Sequence, residues 1–467
     1  TIQGEGAVVT DHQLAGSTGY AVNTITNCGT LTIDGATIEN KSTAQYQIGY
    51  AIDNNSTTGD AVVTVVSGKV IASGSNYNDG IRQFCNSTTV ANDVIVRGGE
   101  VSTIWMQNPS DGANKNTKDV KGSVTIEGGN VGVLSLEPSA NFEAAMTGGH
   151  VGEISYFQTA TGRDLVQFVT GGTLGTQISE DFLAYGYQLK LTGDAAPYTV
   201  VETGRRETVT IVDGEYTEFV NKKDITVGTL TYKRELWDDD LDWNALYVPF
   251  EIPVEKLTAL GLEVAYLNDV RSYDEDFNGE IERMAMEVII LRSGVLNANH
   301  PYLFRRTSAS SVVNMEIVLT ETTLYSTEEE SEQTTVTCSS AYMNFAIGGT
   351  YKEISTDEID GRYVLGVDEE GKTAWGQLEG PWPLGAFRLH LTLEAKNGSP
   401  VKVSESAMKA IRIRTSGEQL EDGSTVIYDV EMDGEQSVDY IFDLQGRRVL
   451  EPQKGNLYII NGKKVIF

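Results

Sequence analysis

Short stretches of alternating apolar and polar residues recur along the first two hundred residues, each broken by a glycine turn and followed by an apolar restart. Alternation with a period of two is typical of β-strands with one buried face. The six repeated segments span 31–38, 63–70, 94–101, 124–131, 142–151 and 166–174. The restart residues are Ile38, Val70, Val101, Val131, Val151 and Leu174, so successive steps are 32, 31, 30, 20 and 23 residues. The pattern predicts a structural repeat with loops of unequal length.

Strands at this spacing are too far apart for simple hairpins. They fit the coils of a right-handed parallel β-helix, in which each coil stacks on the next and buries a continuous apolar column. The recurring glycines suit the corners, because glycine adopts positive φ without the steric cost of a Cβ atom. An antiparallel β-sandwich is the alternative interpretation. The predicted β-helix domain covers residues 1–203.

The spacing of the strand-like segments changes after this domain, and Gly-Gly corners no longer occur. Alternating segments separated by turn signals are typical of an antiparallel β-sandwich, which we expect over residues 204–416. The predicted strands span 207–212, 229–232, 244–249, 286–291, 313–319, 363–365, 387–393 and 411–414. One short helix is predicted at 253–260. The fold class is therefore all-β.

The last segment, 417–467, is predicted to be an acidic linker followed by a small C-terminal β segment. Residues 418–439 are acidic and weakly patterned, whereas 440–449 and 455–467 contain apolar strand-like runs. The Asn461-Gly462 step is a strong signal for a two-residue β-hairpin turn, because both residue types tolerate positive φ.

The charge of the chain restricts its partners. Its 467 residues include 35 Lys and Arg against 66 Asp and Glu, which gives a formal net charge of −31. Such a chain repels the phosphate backbone, so no nucleic-acid partner is expected. No run approaches 18 consecutive apolar residues, so no transmembrane segment is expected. Three cysteines are too few for a disulfide framework; Cys28 and Cys85 are either bonded or free.

One acidic loop has the spacing of a calcium site. Asp274, Asp276 and Asn278 occupy the first, third and fifth positions of the pattern, followed by a glycine and then Glu280. Calcium prefers several oxygen ligands that converge on a tight turn. The pattern departs at its twelfth position, where Ala285 replaces the expected bidentate glutamate. Calcium is the one cofactor considered, and an ordinary acidic loop is the alternative.

Two tryptophans are candidates for carbohydrate contact. Trp382 lies between two prolines, which would hold its ring on a rigid loop, and Trp375 lies nearby in the chain. Aromatic faces stack on sugar rings, but β-sandwich cores also need large aromatic side chains. Trp243 lies in an apolar strand and is expected in the core.

No catalytic constellation is recognised in the sequence. The acids of the repeat region do not recur at one phase with a nearby arginine, so we expect them on a solvated face. They are Asp34, Glu100, Glu127, Glu143 and Glu153. The four histidines are scattered without metal-ligand spacing, and no nucleophile with its base can be assembled.

Two parts of the chain resemble known proteins. The segments Phe-Asp-Leu-Gln-Gly-Arg-Arg-Val at 442–449 and Lys-Gly-Asn-Leu-Tyr-Ile-Ile-Asn-Gly-Lys-Lys-Val at 454–465 resemble the C-terminal segment of secreted and surface proteins of gut Gram-negative anaerobes. They are similar to the sorting domains of the type IX secretion route. Segments 243–250, 301–304 and 385–391 resemble a domain common in those proteins. The resemblance implies an extracellular or outer cell-surface location, and it transfers no catalytic residues.

These observations give three functional hypotheses. The first is a non-catalytic, adhesin-like surface protein that binds a glycan or a protein partner. The second is a polysaccharide lyase or glycoside hydrolase acting on the β-helix face, which predicts clustered carboxylates beside a basic residue. The third is a structural spacer without a ligand. A smooth face of Thr, Asn and Ser would favour the first or the third.

Overall fold

The computed structural model describes an all-β protein that divides into two compact units, Thr1–Arg206 and Glu207–Phe467. The described residues are 1–4, 7–10, 23–41, 49–73, 79–84, 87–107, 121–137, 141–157, 165–193, 197–216, 218–236, 243–273, 280–281, 283–308, 313–328, 336–339, 343–355, 358, 362–367, 373–377, 383–395, 402–403, 411–415, 441–442, 457–460 and 463–466. The predicted boundaries after residues 203 and 416 stay predictions.

The first unit consists of short strands. They are β1 (Ile2–Gln3), β2 (Val8–Thr10), β3 (Ile25–Asn27), β4 (Thr30–Asp34), β5 (Thr37–Asn40), β6 (Tyr50–Asn54), β7 (Ala61–Val65), β8 (Lys69–Ala72), β9 (Asp79–Phe84), β10 (Ala91–Val96), β11 (Glu100–Gln107), β12 (Lys121–Ile126), β13 (Asn130–Leu136), β14 (Asn141–Met146), β15 (His150–Tyr156), β16 (Thr173–Leu174), β17 (Tyr187–Leu191) and β18 (Tyr198–Glu202). A single 3₁₀ turn, Glu180–Phe182, follows β16.

The chain passes back and forth between two sheets of this unit. One sheet has the order β1-β4-β7-β10-β12-β14, and all its pairs are parallel. The other contains β2-β5-β8-β11-β13-β15-β16 in parallel, with β18 and β17 added antiparallel at its end. A parallel branch, β3-β6-β9, joins this second sheet at the latter half of β11. The long strand β11 therefore pairs with both β8 and β9.

The six restart residues form one row across the second sheet. Ile38 pairs with Val70, and the pairing continues in register through Val101, Val131 and Val151 to Leu174. All six are at most 1% exposed. Each fully buried aliphatic side chain contributes about 1.5–3 kcal/mol, so the row is a main source of the unit's stability. The predicted repeat is confirmed as a structural register.

The remaining strands and the one α-helix of the described chain belong to the second unit, apart from the first two residues of β19, which precede the unit boundary. They are β19 (Arg205–Val212), β20 (Ile225–Glu235), β21 (Asn244–Leu246), β22 (Ile252–Pro253), α1 (Val254–Ala259), β23 (Leu262–Tyr273), β24 (Glu280–Ile281), β25 (Arg283–Leu291), β26 (Val295–Leu296), β27 (Tyr302–Arg306), β28 (Asn314–Leu324), β29 (Val336–Ser339), β30 (Met343–Thr350), β31 (Tyr363–Val367), β32 (Thr373–Gln377), β33 (Arg388–Ala395), β34 (Lys402–Val403), β35 (Ile411–Thr415), β36 (Ile441–Phe442), β37 (Leu457–Ile460) and β38 (Lys463–Ile466).

Ten of these strands form one mixed sheet, in the order β21-β27-β23-β25-β35-β32-β31-β33-β30-β29. All its pairs are antiparallel except β25 with β35, which run parallel. Strands β19, β20 and β28 form a separate sheet. All eight predicted strand segments overlap strands, but the segment 244–249 is a strand only over Asn244–Leu246. The predicted helix is confirmed as α1.

The C-terminal strands β36, β37 and β38 pair antiparallel in a small sheet of their own. Ile460 pairs with Lys463, so β37 and β38 form the hairpin that the Asn-Gly step predicts. The two turn residues themselves lie outside the described chain.

Candidate functional site

The predicted calcium loop lies almost wholly outside the described residues. Asp274, Asp276 and Asn278 belong to the part that is not described, and Glu280 is described only as backbone at the start of β24. Elsewhere in the described chain, no group of three or more His, Cys, Asp or Glu side chains is placed to hold a metal ion. Calcium binding at 274–280 stays a prediction.

Of the two candidate tryptophans, the structure describes only Trp375. Trp375 in β32 is 0% exposed, and its indole nitrogen lies 3.1 Å from the Met286 sulfur atom. Its ring therefore packs in the core and has no free face for a sugar. Trp382 lies outside the described residues. Trp243 is buried, as expected, with the Arg305 guanidinium 4.6 Å from its ring centroid.

A different tryptophan lies on the outer face of the branched parallel sheet. The register places Asp53, Arg82, Trp105, Ser135 and Ser155 side by side in one row across β6, β9, β11, β13 and β15. The flanking inward residues are buried apolar side chains such as Ile81 and Ile104, so the alternation of each strand turns this row outward.

A second outward row lies two residues further along the same strands. Phe84 pairs with Gln107, and the Glu137 and Phe157 amides continue the ladder by donating to the carbonyls of Met106 and Leu136. We call these two rows together the Trp105 strip. Neighbouring strands are about 4.8 Å apart, so the strip runs for roughly 15–20 Å across the coils.

An ion pair fixes one end of the Trp105 strip. The Arg82 Nε and Nη2 atoms donate to the two carboxylate oxygens of Asp53 at 2.8 and 2.7 Å. The Asn23 amide also donates to this carboxylate, at 2.9 Å. Only 19% of the Arg82 side chain and 5% of the Asp53 side chain are exposed. The bidentate geometry therefore holds both groups in one orientation.

Aromatic rings surround the guanidinium. The Arg82 Cζ atom lies 4.4 Å from the Tyr50 ring centroid and 4.8 Å from that of Phe84, which are cation–π distances. The Tyr50 ring centroid is 6.3 Å from that of Trp105. The Trp105 indole N–H donates to Glu137 at 3.1 Å, which orients the indole plane on the sheet.

Burial shifts two titratable groups beside this ion pair. It raises the pKa of the Asp79 carboxyl from 3.8 to about 6. It also raises the pKa of the Tyr50 hydroxyl to about 12, against the opposing effect of the Arg82 charge. Desolvation disfavours the charged form in both cases. The Asp79 carboxyl therefore changes charge near pH 6.

The acids that the sequence singles out are spread over the first unit, and only Glu153 lies close to the Trp105 strip, two residues before Ser155 in β15. Glu100 pairs with Lys69 at 2.6 Å and Glu127 with Arg97 at 3.0 Å, each joining consecutive coils. Asp34 accepts a hydrogen bond from Ser67, which lowers the pKa of its carboxyl. Glu143 and Glu153 are exposed. Cys28 is a free, exposed thiol rather than half of a disulfide.

The other parallel sheet has one outward row without charged side chains. Thr32, Thr64, Ile95, Thr125 and Ala145 occupy one outward row in register. Its side chains are small or β-branched, and none is titratable. The neighbouring outward row of the same strands contains Asp93 and Glu143.

The second unit carries a buried charge cluster and a cleft. Asp213, whose side chain is fully buried, accepts hydrogen bonds from Arg388 at 2.8 and 2.9 Å and from the Tyr232 hydroxyl at 2.6 Å. This cluster links β20 and β33. A cleft of about 580 Å³ has His390, Lys352 and Arg362 among its lining residues. Burial and the Arg362 charge lower the pKa of His390 to about 4.

The sequence pattern does not reveal the Trp105 strip. Asp53, Arg82 and Trp105 are 29 and 23 residues apart, whereas the restart residues of the same coils, Ile38, Val70 and Val101, are 32 and 31 residues apart. The irregular loops between the coils hide their alignment. The available signal is weaker: each is a large polar or aromatic residue at an outward position of an alternating strand.

Comparison with known proteins gives no family for this chain. No family model, curated protein or solved structure matches it. Across the part that the structure describes, no helix is both long and apolar enough to cross a lipid bilayer.

Proposed function

We propose that the protein is a non-catalytic, adhesin-like protein of the extracellular space or outer cell surface that binds a glycan or protein partner through the Trp105 strip. The observation that carries this proposal is the pairing of an immobilised ion pair with partly exposed aromatic side chains on one sheet face. Both oxygens of Asp53 are engaged by Arg82, which suits a fixed recognition surface. Aromatic rings with a few oriented polar groups are typical of ligand sites.

We further propose that the first unit is a right-handed parallel β-helix. In support, successive strands pair in parallel and in register, and the restart residues form one buried row. Stacked coils of this kind create long exposed faces, which suit binding along an extended partner. For the second unit we propose a β-sandwich-type arrangement, on the basis of its large, mainly antiparallel sheet.

The proposed location rests on the C-terminal segment. Its sequence resembles type IX sorting domains, and its strands β36 to β38 pair as a small antiparallel sheet. We propose that this segment directs the chain to the cell exterior.

One observation favours a second candidate, a polysaccharide-cleaving enzyme. Burial raises the pKa of the Asp79 carboxyl to about 6, and its backbone pairs with that of Tyr50 beside the Arg82 ion pair. A carboxyl with a raised pKa is suited to donate a proton to a leaving group. A hydrolase also needs a second carboxylate about 5–10 Å from the first.

One experiment separates these functions. The full chain is screened against a broad array of glycans and host surface proteins, and glycan targets are assayed for newly formed reducing or unsaturated ends. We expect binding without cleavage. Released products would support the enzyme instead. If no target binds, the structural spacer is the remaining hypothesis.

A further inference from the structure

The Trp105 strip ends in an exposed aromatic ring that the ion pair does not explain. Phe157 is 54% exposed, the highest value among the large apolar side chains of the described chain. An exposed phenylalanine forfeits the stabilisation that burial of its ring would give, so its position in the second outward row needs a reason. A ligand that covers the ring would supply one.

The rest of the strip offers both apolar and polar contacts. Trp105 and Phe84 are partly exposed, and Ser135, Ser155 and Gln107 lie between the aromatic positions. A sugar ring matches this mixture, because its C–H face packs on aromatic rings and its hydroxyls exchange hydrogen bonds with Ser and Gln. The strands repeat about every 4.8 Å, a spacing comparable to the length of one sugar unit.

The charges on and near the strip select among glycans. Asp53 neutralises Arg82, and the nearby Asp79, Glu137 and Glu153 are all acids. The whole chain also carries a net charge of −31. A glycan rich in carboxylates or sulfates would be repelled, whereas neutral hydroxyls can donate hydrogen bonds to carboxylate oxygens.

We propose that the Trp105 strip binds a neutral glycan chain that lies across strands β9, β11, β13 and β15, along the direction in which the coils stack. Phe157 and Trp105 provide the stacking faces, and Glu137 holds the indole in place. This inference rests on the proposed binding function and names its ligand class.

The test uses the full chain, labelled with fluorotryptophan, and a panel of neutral oligosaccharides with uronic-acid oligosaccharides of equal length. Trp105 is the one tryptophan in residues 1–206, so its fluorine resonance reports on the strip. We expect a neutral oligosaccharide to shift the Trp105 resonance and leave that of buried Trp375 unchanged. Uronic-acid oligosaccharides should have no effect at the same concentration.

Two variants make the test specific. Phe157→Ala removes an exposed ring and should weaken neutral-glycan binding at least about tenfold. Leu191→Ala is the control, because Leu191 is 50% exposed in the same unit but outside the strip. Equal affinities for both variants, or stronger binding of uronic-acid oligosaccharides, would overturn the neutral-glycan inference.

The same experiment tests the neutral-glycan inference separately from the proposed binding function. If the chain binds a protein or an anionic glycan and Phe157→Ala has no effect, the glycan inference is wrong and a binding function stands. If no glycan or protein in the broad screen binds, both are wrong.

Discussion

The Asp53 carboxylate neutralises Arg82 where water reaches little of either side chain, with exposures of 5% and 19%. Asp53→Asn removes the negative charge and leaves the guanidinium uncompensated among aromatic rings. We expect this substitution to lower the free energy of unfolding of the first unit by about 2–3 kcal/mol, slightly below the cost of breaking a fully buried pair. Urea unfolding followed through the fluorine resonance of Trp105 measures this loss.

The matched control is Glu100→Gln. It also removes one carboxylate, but the Lys69–Glu100 pair is about half exposed on both sides. Exposed pairs are screened by solvent, so we expect a loss below about 0.5 kcal/mol. Equal losses for the two variants would show that the Asp53–Arg82 pair contributes no more to stability than an exposed ion pair.

His390 provides a pH-dependence test in the second unit. Its Nδ1 atom is buried without a hydrogen-bond partner among the described residues, and burial lowers its pKa from 6.5 to about 4. Between these two pH values the unfolded chain binds more protons than the folded chain. The contribution of His390 to stability is therefore complete above pH 6.5 and is lost as the pH falls towards 4.

NMR titration with carbon-labelled histidine measures this pKa directly. The chain has four histidines, and His390→Gln identifies the resonance by its disappearance. We expect a titration midpoint near pH 4 for His390. A midpoint near 6.5 would contradict the buried placement of the ring.

At this scale the sequence predicts the roles of some residues and not of others. It places Trp243 in the core, because its neighbours form an apolar strand. It cannot distinguish a core from a surface role for Trp375, because both need a large aromatic ring in a β-rich region. The ion pair between Arg82 and Asp53 is not predictable in this way. The two residues are 29 positions apart, and their contact depends on the register between β6 and β9.

At the scale of elements, the Gly-Gly corners determine how closely the coils stack. Gly129 has a φ of +75°, and a Cβ atom there would lie 2.7 Å from the carbonyl carbon of Gly98 in the preceding coil. Gly129→Ala should therefore destabilise the first unit by about 2 kcal/mol or more, from backbone strain and from overlap. Calorimetry of the full chain measures the loss as a lower unfolding temperature.

Gly59→Ala is the control for this prediction. Gly59 is free of positive-φ strain, and a Cβ atom there would meet nothing within 4 Å. We expect its effect to stay within about 0.5 kcal/mol. If Gly129→Ala were as mild as Gly59→Ala, the close stacking of the corners would be disproved.

The elements themselves are well predicted where local signals are strong. Period-two alternation predicts the strands, the recurring glycines indicate the repeat, and the Asn-Gly step predicts the terminal hairpin. Pairing across long intervals is not predictable in this way. The parallel pair β25–β35 joins residues more than a hundred positions apart, and no local pattern marks it.

At the scale of the whole molecule, the net charge and the arrangement of the coils both bear on the proposed partner class. A net charge of −31 keeps the surface of the chain repulsive towards polyanions. The paired carboxylates of the first unit join consecutive coils, and the Trp105 strip crosses the coils with aromatic and hydroxyl groups. These features support the proposal that the ligand is a long neutral polymer.

The most direct measurement is a crystal structure of the full chain with a saturating neutral oligosaccharide. We expect an intact oligosaccharide along the strip, with sugar faces on Trp105 and Phe157 and hydroxyls at Ser135 and Ser155. A sugar bound elsewhere with the strip empty, or an oligosaccharide cleaved at the strip, would contradict this expectation.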